Sequence, residues 1–251
     1  MFNALRVRLA QKTQYIADLR AAVPTGFRGR PTLAEGACKT GCQACLAVCP
    51  TTAIALDPLR IDLGRCVFCN ECAIACPEGK IEFTPEVRMG SDTRSGLLVT
   101  EGKAPPEPVA TSRELQRLFG RSLKLRQVSA GGCNACELEL NALGNVNFDL
   151  QRFGIEWVAS PRHADALVLS GPITRHMAAA VELAFDAMPE PRFVVAVGAC
   201  TISGGLYEAS PEIVNFWRAF LGRGVPSLYV PGCPPHPLTF IAAILDLLGI
   251  A

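Results

Sequence analysis

Cys42, Cys45, Cys49, Pro50 and Ile54 recur 27 residues later as Cys69, Cys72, Cys76, Pro77 and Ile81, so one small unit occurs twice between Ala37 and Phe83. Thiols at such close steps share one tight loop, and a proline directly after the last cysteine ends the helical turn carrying it. Each copy should close with a short strand, Ala53 to Leu56 in the first and Lys80 to Phe83 in the second. Twelve cysteines in 251 residues are about 5%, below the ~8 to 10% of disulfide-stapled secreted chains. They cluster, which points to a bound group.

The first copy reads Cys38-Lys39-Thr40-Gly41-Cys42-Gln43-Ala44-Cys45-Leu46-Ala47-Val48-Cys49-Pro50; the second runs from Cys66 through Cys69 and Cys72 to Cys76-Pro77. The second has the spacing of the bacterial run that holds two [4Fe-4S] clusters, in which the fourth cysteine crosses to the other cluster. That crossing assigns Cys38, Cys42, Cys45 and Cys76 to one cluster and Cys66, Cys69, Cys72 and Cys49 to the other. Paired Cys-x2-Cys motifs also suit tetrahedral zinc, but two interleaved runs closed by Cys-Pro favour the cubane. The first copy departs from the second in placing three residues, not two, between its first two cysteines.

A hydrophobic share of 49% with 19% charged residues describes a globular chain, and a formal charge of +1 gives no global pull towards nucleic acid. Phe2, Leu5, Leu9, Ile16, Leu19 and Val23 outline an amphipathic helix ending near Pro24. Six basic residues accompany it (Arg6, Arg8, Lys12, Arg20, Arg28, Arg30) against Asp18 alone, which suits either an anionic membrane surface or a partner subunit. Charges interrupt any signal-peptide core there. The long uncharged window Gly224 to Leu245 holds Pro226, Pro231, Pro234, Pro235 and Pro237, too many for a spanning helix. Thiols in a chain without export stay reduced.

Four segments are expected: a basic helix at 1–30, the cysteine repeat at 31–88, a linker with a short helix capped by Ser112 at 89–121, and a further domain at 122–251. In the last, strands are predicted over Leu123–Val128, Ile155–Ala159, Ala166–Leu169, Phe193–Val197 and Ser227–Val230. Helices are predicted over Cys136–Leu143, Met177–Met188, Pro211–Leu221 and Pro237–Leu248. The fold class is thus α/β, a flavodoxin-like parallel sheet domain preceded by a small α+β two-cluster unit. The remaining cysteines, Cys133, Cys136, Cys200 and Cys233, fall at predicted strand ends beside glycine or proline, where three loops could join in a third four-thiolate site. Buried apolar cysteines or a lone reactive thiol are the alternative. His163, His176 and His236 show no ligand spacing and are read as surface or hydrogen-bonded residues.

Three stretches carry a resemblance: Gly132-Cys133-Asn134-Ala135-Cys136-Glu137-Leu138-Glu139, Gly198-Ala199-Cys200-Thr201-Ile202-Ser203-Gly204-Gly205, and Val230-Pro231-Gly232-Cys233-Pro234-Pro235. From Leu123 to Ala251 the chain resembles the small subunit of membrane-bound, energy-converting [NiFe]-hydrogenases (group 4, formate hydrogenlyase type) and its relative in respiratory complex I. The part through Phe83 is similar to their neighbouring two-cluster ferredoxin subunit, as if two subunits were fused. Complex I has adjacent cysteines at the first ligand pair, so the two residues between Cys133 and Cys136 favour the hydrogenase branch. The resemblance implies three [4Fe-4S] clusters, the third held by Cys133, Cys136, Cys200 and Cys233 and facing a catalytic large subunit. It also implies membrane subunits, a further electron-transfer subunit or ferredoxin, and a peripheral place on the cytoplasmic face of the membrane. Glu139 matches an acidic residue that lies either in a proton path or simply at a helix N-terminus. Two other readings stay open, a nickel-free complex-I-like quinone oxidoreductase and a freestanding iron-sulfur carrier or redox sensor.

Overall fold

A computed structural model of the chain describes residues 2–19, 21–36, 38–104, 109–110, 112–214 and 227–250. Helix α1 (Phe2–Gln11) is followed by β1 (Pro31–Leu33), and then each cysteine copy supplies a helical turn and a strand. These are α2 (Ala44–Ala47) with β2 (Ile54–Ala55) and, beyond β3 (Arg60–Asp62), α3 (Glu71–Ala75) with β4 (Ile81–Phe83). Strand β1 pairs antiparallel with β4, Thr32 opposite Glu82. Strands β2, β3 and β5 (Leu98–Thr100) form an antiparallel sheet in that order.

Two expectations are corrected here. The amphipathic helix predicted as far as Pro24 stops at Gln11, where Lys12 turns to φ +54°. Beyond it, tertiary contacts replace helical ones: the Ile16 amide donates to Asn147 O (2.9 Å), Arg152 donates to Ile16 O (2.7 Å), and Leu19 is buried. The stretch 89–121, read as linker with a short helix, also completes a sheet through β5 and buries Met89, Leu97 and Val99. Ser91 exchanges two backbone hydrogen bonds with Tyr229 (3.0 and 2.7 Å). Gly102, at φ +69°, lies in a turn, while partners distant in sequence make the strand. Helix α4 (Arg113–Phe119) begins as predicted, with Ser112 Oγ accepting the Leu115 amide at 3.3 Å.

The apolar runs of the second half become β6 (Leu123–Ser129), β7 (Ile155–Trp157), β8 (Ala166–Ser170), β9 (Phe193–Val197) and β10 (Ser227–Val230). Between and after them lie α5 (Ala135–Ala142), α6 (Arg175–Asp186), α7 (Gly198–Ser203) and α8 (Pro237–Leu248). All neighbouring pairs are parallel and the order is β10-β9-β8-β6-β7. Counted within the domain, that is the flavodoxin-like order 2-1-3-4-5 read from the other edge. Every residue of β8 and β9 is buried, as continuous apolar strands covered on both faces must be. The helix predicted over Pro211–Leu221 falls mostly outside the described residues.

The halves share one core, in which Ile61, Leu63 and Leu97 cluster with Leu167, Leu169, Val194 and Ile202. Arg88 grips Asp246 through contacts of 3.0 to 3.1 Å, and Arg65 pairs with Glu208. The cysteine unit is therefore held against the sheet instead of swinging from a tether.

Candidate iron-sulfur sites

In the repeat, the thiols that act on one another electrostatically follow the crossed pattern. Cys45 is under the influence of Cys76 and Cys38, whereas Cys66 is under that of Cys72, Cys49 and Cys69. Each copy's last cysteine thus joins the other copy's loop. Burial, reinforced by the neighbouring thiolates and opposed by the Phe68 amide, pushes the Cys66 thiol up to about 12. Burial beside Cys69 and Cys49 raises Cys72 to about 11. Four such thiols ionise together only around a cationic core. Amides are aimed at the sulfurs, with Ala53 N–H donating to Cys49 Sγ (3.2 Å), Lys80 N–H to Cys76 Sγ (3.4 Å) and Phe68 N–H to Cys66 Sγ (3.3 Å).

The surroundings of the two sets differ. Cys49, Cys66, Cys69 and Cys72 line a small apolar cavity with Ile54, Ile61 and Phe83. Cys38 and Cys42 instead line an open cavity of about 350 Å³ whose wall includes Lys80 and Glu101. A further cavity of about 220 Å³ has Val67, Phe68 and Met89 on one side and Gly232 and Cys233 on the other. The second copy's loop therefore faces the third group of cysteines.

That third group assembles at the carboxyl edge of the sheet. Cys133 and Cys136 follow β6, Cys200 lies in α7 after β9, and Cys233 follows β10. The order reverses between β6 and β8, so the first pair stands at the topological switch point, where such sheets hold ligands. The Ala199 amide donates to Gly232 O (2.9 Å), tying two of the loops together. Asn134 enters α5 at φ +71°, as Asn70 enters α3 at φ +75°, a left-handed start that short polar side chains tolerate. A Cβ on Gly198, at φ +86°, would lie 2.8 Å from Cys136 Sγ, so no larger residue fits that close approach. Burial and then Glu137 push Cys136 up to about 12, with Cys200, Cys233 and Cys133 adding to it. Cys200 rises to about 11 through burial beside Cys233 and Cys133. Cys133 and Cys233 are exposed.

Glu139 is half-buried on α5, and burial raises its carboxyl above the ordinary range. Two charged groups near the thiols were not singled out by sequence. Glu137 is buried at 7% exposure and accepts the Ser170 hydroxyl at 2.9 Å. Lys80 is buried at 5% and bound to Glu101 Oε1 at 2.6 Å; that bond first, then the nearby Glu101, Cys38 and Cys76 charges, raise its pKa against the effect of burial. The repeat itself carried a signal for it, since the first copy has Ala53 at the matching position. His163 and His176 are exposed, and His236 Nδ1 accepts the Leu238 amide (3.1 Å), so the histidines sit as expected.

The residues fit iron-sulfur groups: clustered thiols, amides aimed at sulfur in the repeat, and a glycine where the backbone crowds a thiol. Among the described residues no three His, Cys, Asp or Glu side chains are grouped to hold a single metal ion. A cubane spreads its thiolates over separate irons. This is the architecture of an iron-sulfur electron-transfer subunit of an oxidoreductase complex.

Residues 133–247 match the family described as NADH ubiquinone oxidoreductase, 20 Kd subunit, and residues 59–79 match the 4Fe-4S binding domain. The chain is 38% identical over 133 residues, covering 53% of itself and 77% of the relative, to the probable membrane-bound hydrogenase subunit mbhJ of Pyrococcus furiosus. It is 36% identical to formate hydrogenlyase subunit 7 of Escherichia coli, over 57% of this chain and 56% of that one. To a subunit of the NADH-quinone oxidoreductase of Clostridium beijerinckii it is 42% identical, over 46% of this chain and 68% of that one. The chain belongs to the NADH ubiquinone oxidoreductase 20 Kd subunit family.

Proposed function

We propose that this chain carries three [4Fe-4S] clusters and passes electrons between a redox partner and the catalytic large subunit of a membrane-associated [NiFe]-hydrogenase of the formate hydrogenlyase type. Cys38, Cys42, Cys45 and Cys76 would hold the first, Cys49, Cys66, Cys69 and Cys72 the second, and Cys133, Cys136, Cys200 and Cys233 the third. The observation that carries the reading is the grouping of eleven of the twelve thiols into three electrostatically interacting sets, with Cys42 beside Cys38 on one cavity wall and the second copy's loop facing the third set across another. Bound clusters supply one-electron transfer. The protein's part is to anchor them by thiolate, direct amides at their sulfurs, and keep Phe68 and Met89, both buried, between the second and third sets.

The order first, second, third runs from the open cavity beside Cys38 to the exposed pair Cys133 and Cys233. An outside donor, a ferredoxin or a further electron-transfer subunit, meets the first set, and the large subunit covers the third. Support for that cover comes from Leu138, Leu206 and Tyr207, which are 61%, 56% and 47% exposed close in sequence to Cys136 and Cys200. Glu139 is assigned to a proton path towards the large subunit. Among the described residues no helix is long and apolar enough to cross a membrane, so membrane subunits supply the span and the chain sits on their cytoplasmic face. Helix α1, with Phe2, Leu5 and Leu9 exposed beside Arg6 and Arg8, is the segment for peripheral contact. The segments 31–88 and 122–251 act as the two cluster-bearing units.

The comparably high identity to the NADH-quinone oxidoreductase relative keeps a nickel-free, quinone-reducing assembly as the second reading. Anaerobic co-purification separates them. Nickel in a co-eluting large subunit, with clusters reduced by hydrogen, is the expected result. A large subunit without nickel turns the reading to the quinone-linked relative. A chain that elutes alone, with all its iron, makes it a freestanding carrier or sensor.

A further inference from the structure

In both copies the amide four residues beyond the crossing cysteine is aimed at that cysteine's sulfur, but the side chain at that position differs. Ala53 N–H donates to Cys49 Sγ in the first copy and Lys80 N–H donates to Cys76 Sγ in the second. The same backbone position thus carries a methyl group in one copy and a lysine in the other. The lysine is not a solvated side chain: it is 5% exposed, and its Nζ is held by Glu101 Oε1 and by the carbonyl of Gly36, two residues before Cys38. In that position its charge acts on Cys38 and Cys76, and it forms part of the cavity wall that Cys38 and Cys42 also line.

We infer that Lys80 is a positioning residue that raises the reduction potential of the first cluster relative to the second, with Glu101 setting how far. The inference rests on the reading that Cys38, Cys42, Cys45 and Cys76 hold that cluster. When one electron enters, the cluster and its four thiolates gain one negative charge, and no proton or bond need move. A cation held in place beside the cluster favours the more negative state, and net charge near the sulfurs is among the controls on cluster potential. The second set has the methyl group of Ala53 at the equivalent place. Glu101, itself 17% exposed, holds the ammonium in position and cancels part of its field.

The test is a redox titration followed by electron paramagnetic resonance on the whole, anaerobically isolated chain. The first-cluster signal is assigned as the one altered by Cys42→Ser. Lys80→Ala, which installs the first copy's residue, should shift the reduced-to-oxidised ratio of that signal about tenfold towards oxidised, about 59 mV for one electron, and leave the others unmoved. Lys80→Arg should stay near wild type, and Glu101→Gln should shift the same signal the opposite way. An ion pair that merely braces the loop would not give opposite signs. The inference is overturned if Lys80→Ala keeps its iron and its potential, or if Lys80→Arg shifts as far as Lys80→Ala. Should Lys80→Ala lose iron, Glu101→Gln decides: a raised potential supports the role and an unmoved one overturns it. A failure of the underlying reading looks different, with Cys42→Ser altering no signal and removing no iron from the wild-type content.

Discussion

In the second copy of the repeat Cys66 and Cys72 are buried, and Phe68, at φ +56°, closes the loop against Phe83. In the first, Gly41 takes the corresponding left-handed position at φ +74°, and Cys38 and Cys42 stay partly exposed on an open cavity. The glycine leaves the mouth open where the phenylalanine seals it. One spacing motif thus produces an inner site and an outer site. The lesson is that cysteine spacing fixes what is bound, while the residues between the cysteines fix how much water and charge the bound group meets.

The crossing is the part of the comparison easiest to break. Cys49→Ala should strip about four irons from the second copy's set, and Cys76→Ala about four from the first copy's, each emptying the opposite loop, as iron analysis would read. Next in size is thiol reactivity in the metal-free chain. With Cys66 pushed up to about 12 and an ordinary thiol near ~8.5, its thiolate at pH 8 is at least about a hundredfold scarcer. Cys66 should therefore alkylate that much more slowly than an unhindered thiol, by mass spectrometry. The folded value is raised, so the neutral thiol stabilises the metal-free fold fully below pH ~9, and that stability is lost as pH rises from there towards about 12. Thermal melting of the stripped chain should fall over that window, and less so in Cys66→Ala. Phe68→Ala should remove about 3 kcal/mol from resistance to urea, since a buried ring leaves a cavity. At the matching position Gly41→Ala should cost about 1 kcal/mol, for its left-handed backbone alone. The smallest effect belongs to Glu208→Ala, which removes a half-exposed partner of Arg65 and should change stability by less than ~1 kcal/mol.

Much of this was legible in the sequence. The strands Phe193–Val197 and Ser227–Val230 and the helix Pro237–Leu248 lie where predicted, because unbroken apolar runs between turn residues have few other ways to fold. The convergence of Cys133, Cys136, Cys200 and Cys233 followed from their strand-end positions. Strands β1, β3 and β5 were not legible, since three residues hold no period and each forms through a partner distant in the chain. For the same reason α1 was drawn too long: Ile16 and Leu19 keep helical spacing, yet their contacts are with the C-terminal domain. Glu137 and Lys80 were missed because a carboxylate's hydroxyl partner and an ammonium's carbonyl cradle are tertiary facts. Only the Ala53-to-Lys80 change within the repeat hinted at the second.

The most direct test of the account is the iron content of the anaerobically purified chain beside its Cys136→Ser variant, with resonance spectra of both after reduction. The account predicts about twelve irons per chain, from three four-iron clusters, and loss of one set of signals in the variant. About eight irons in both, with unchanged spectra, would contradict it: the sheet-edge cysteines would then hold no cluster, and the path from the repeat to a large subunit would have no end.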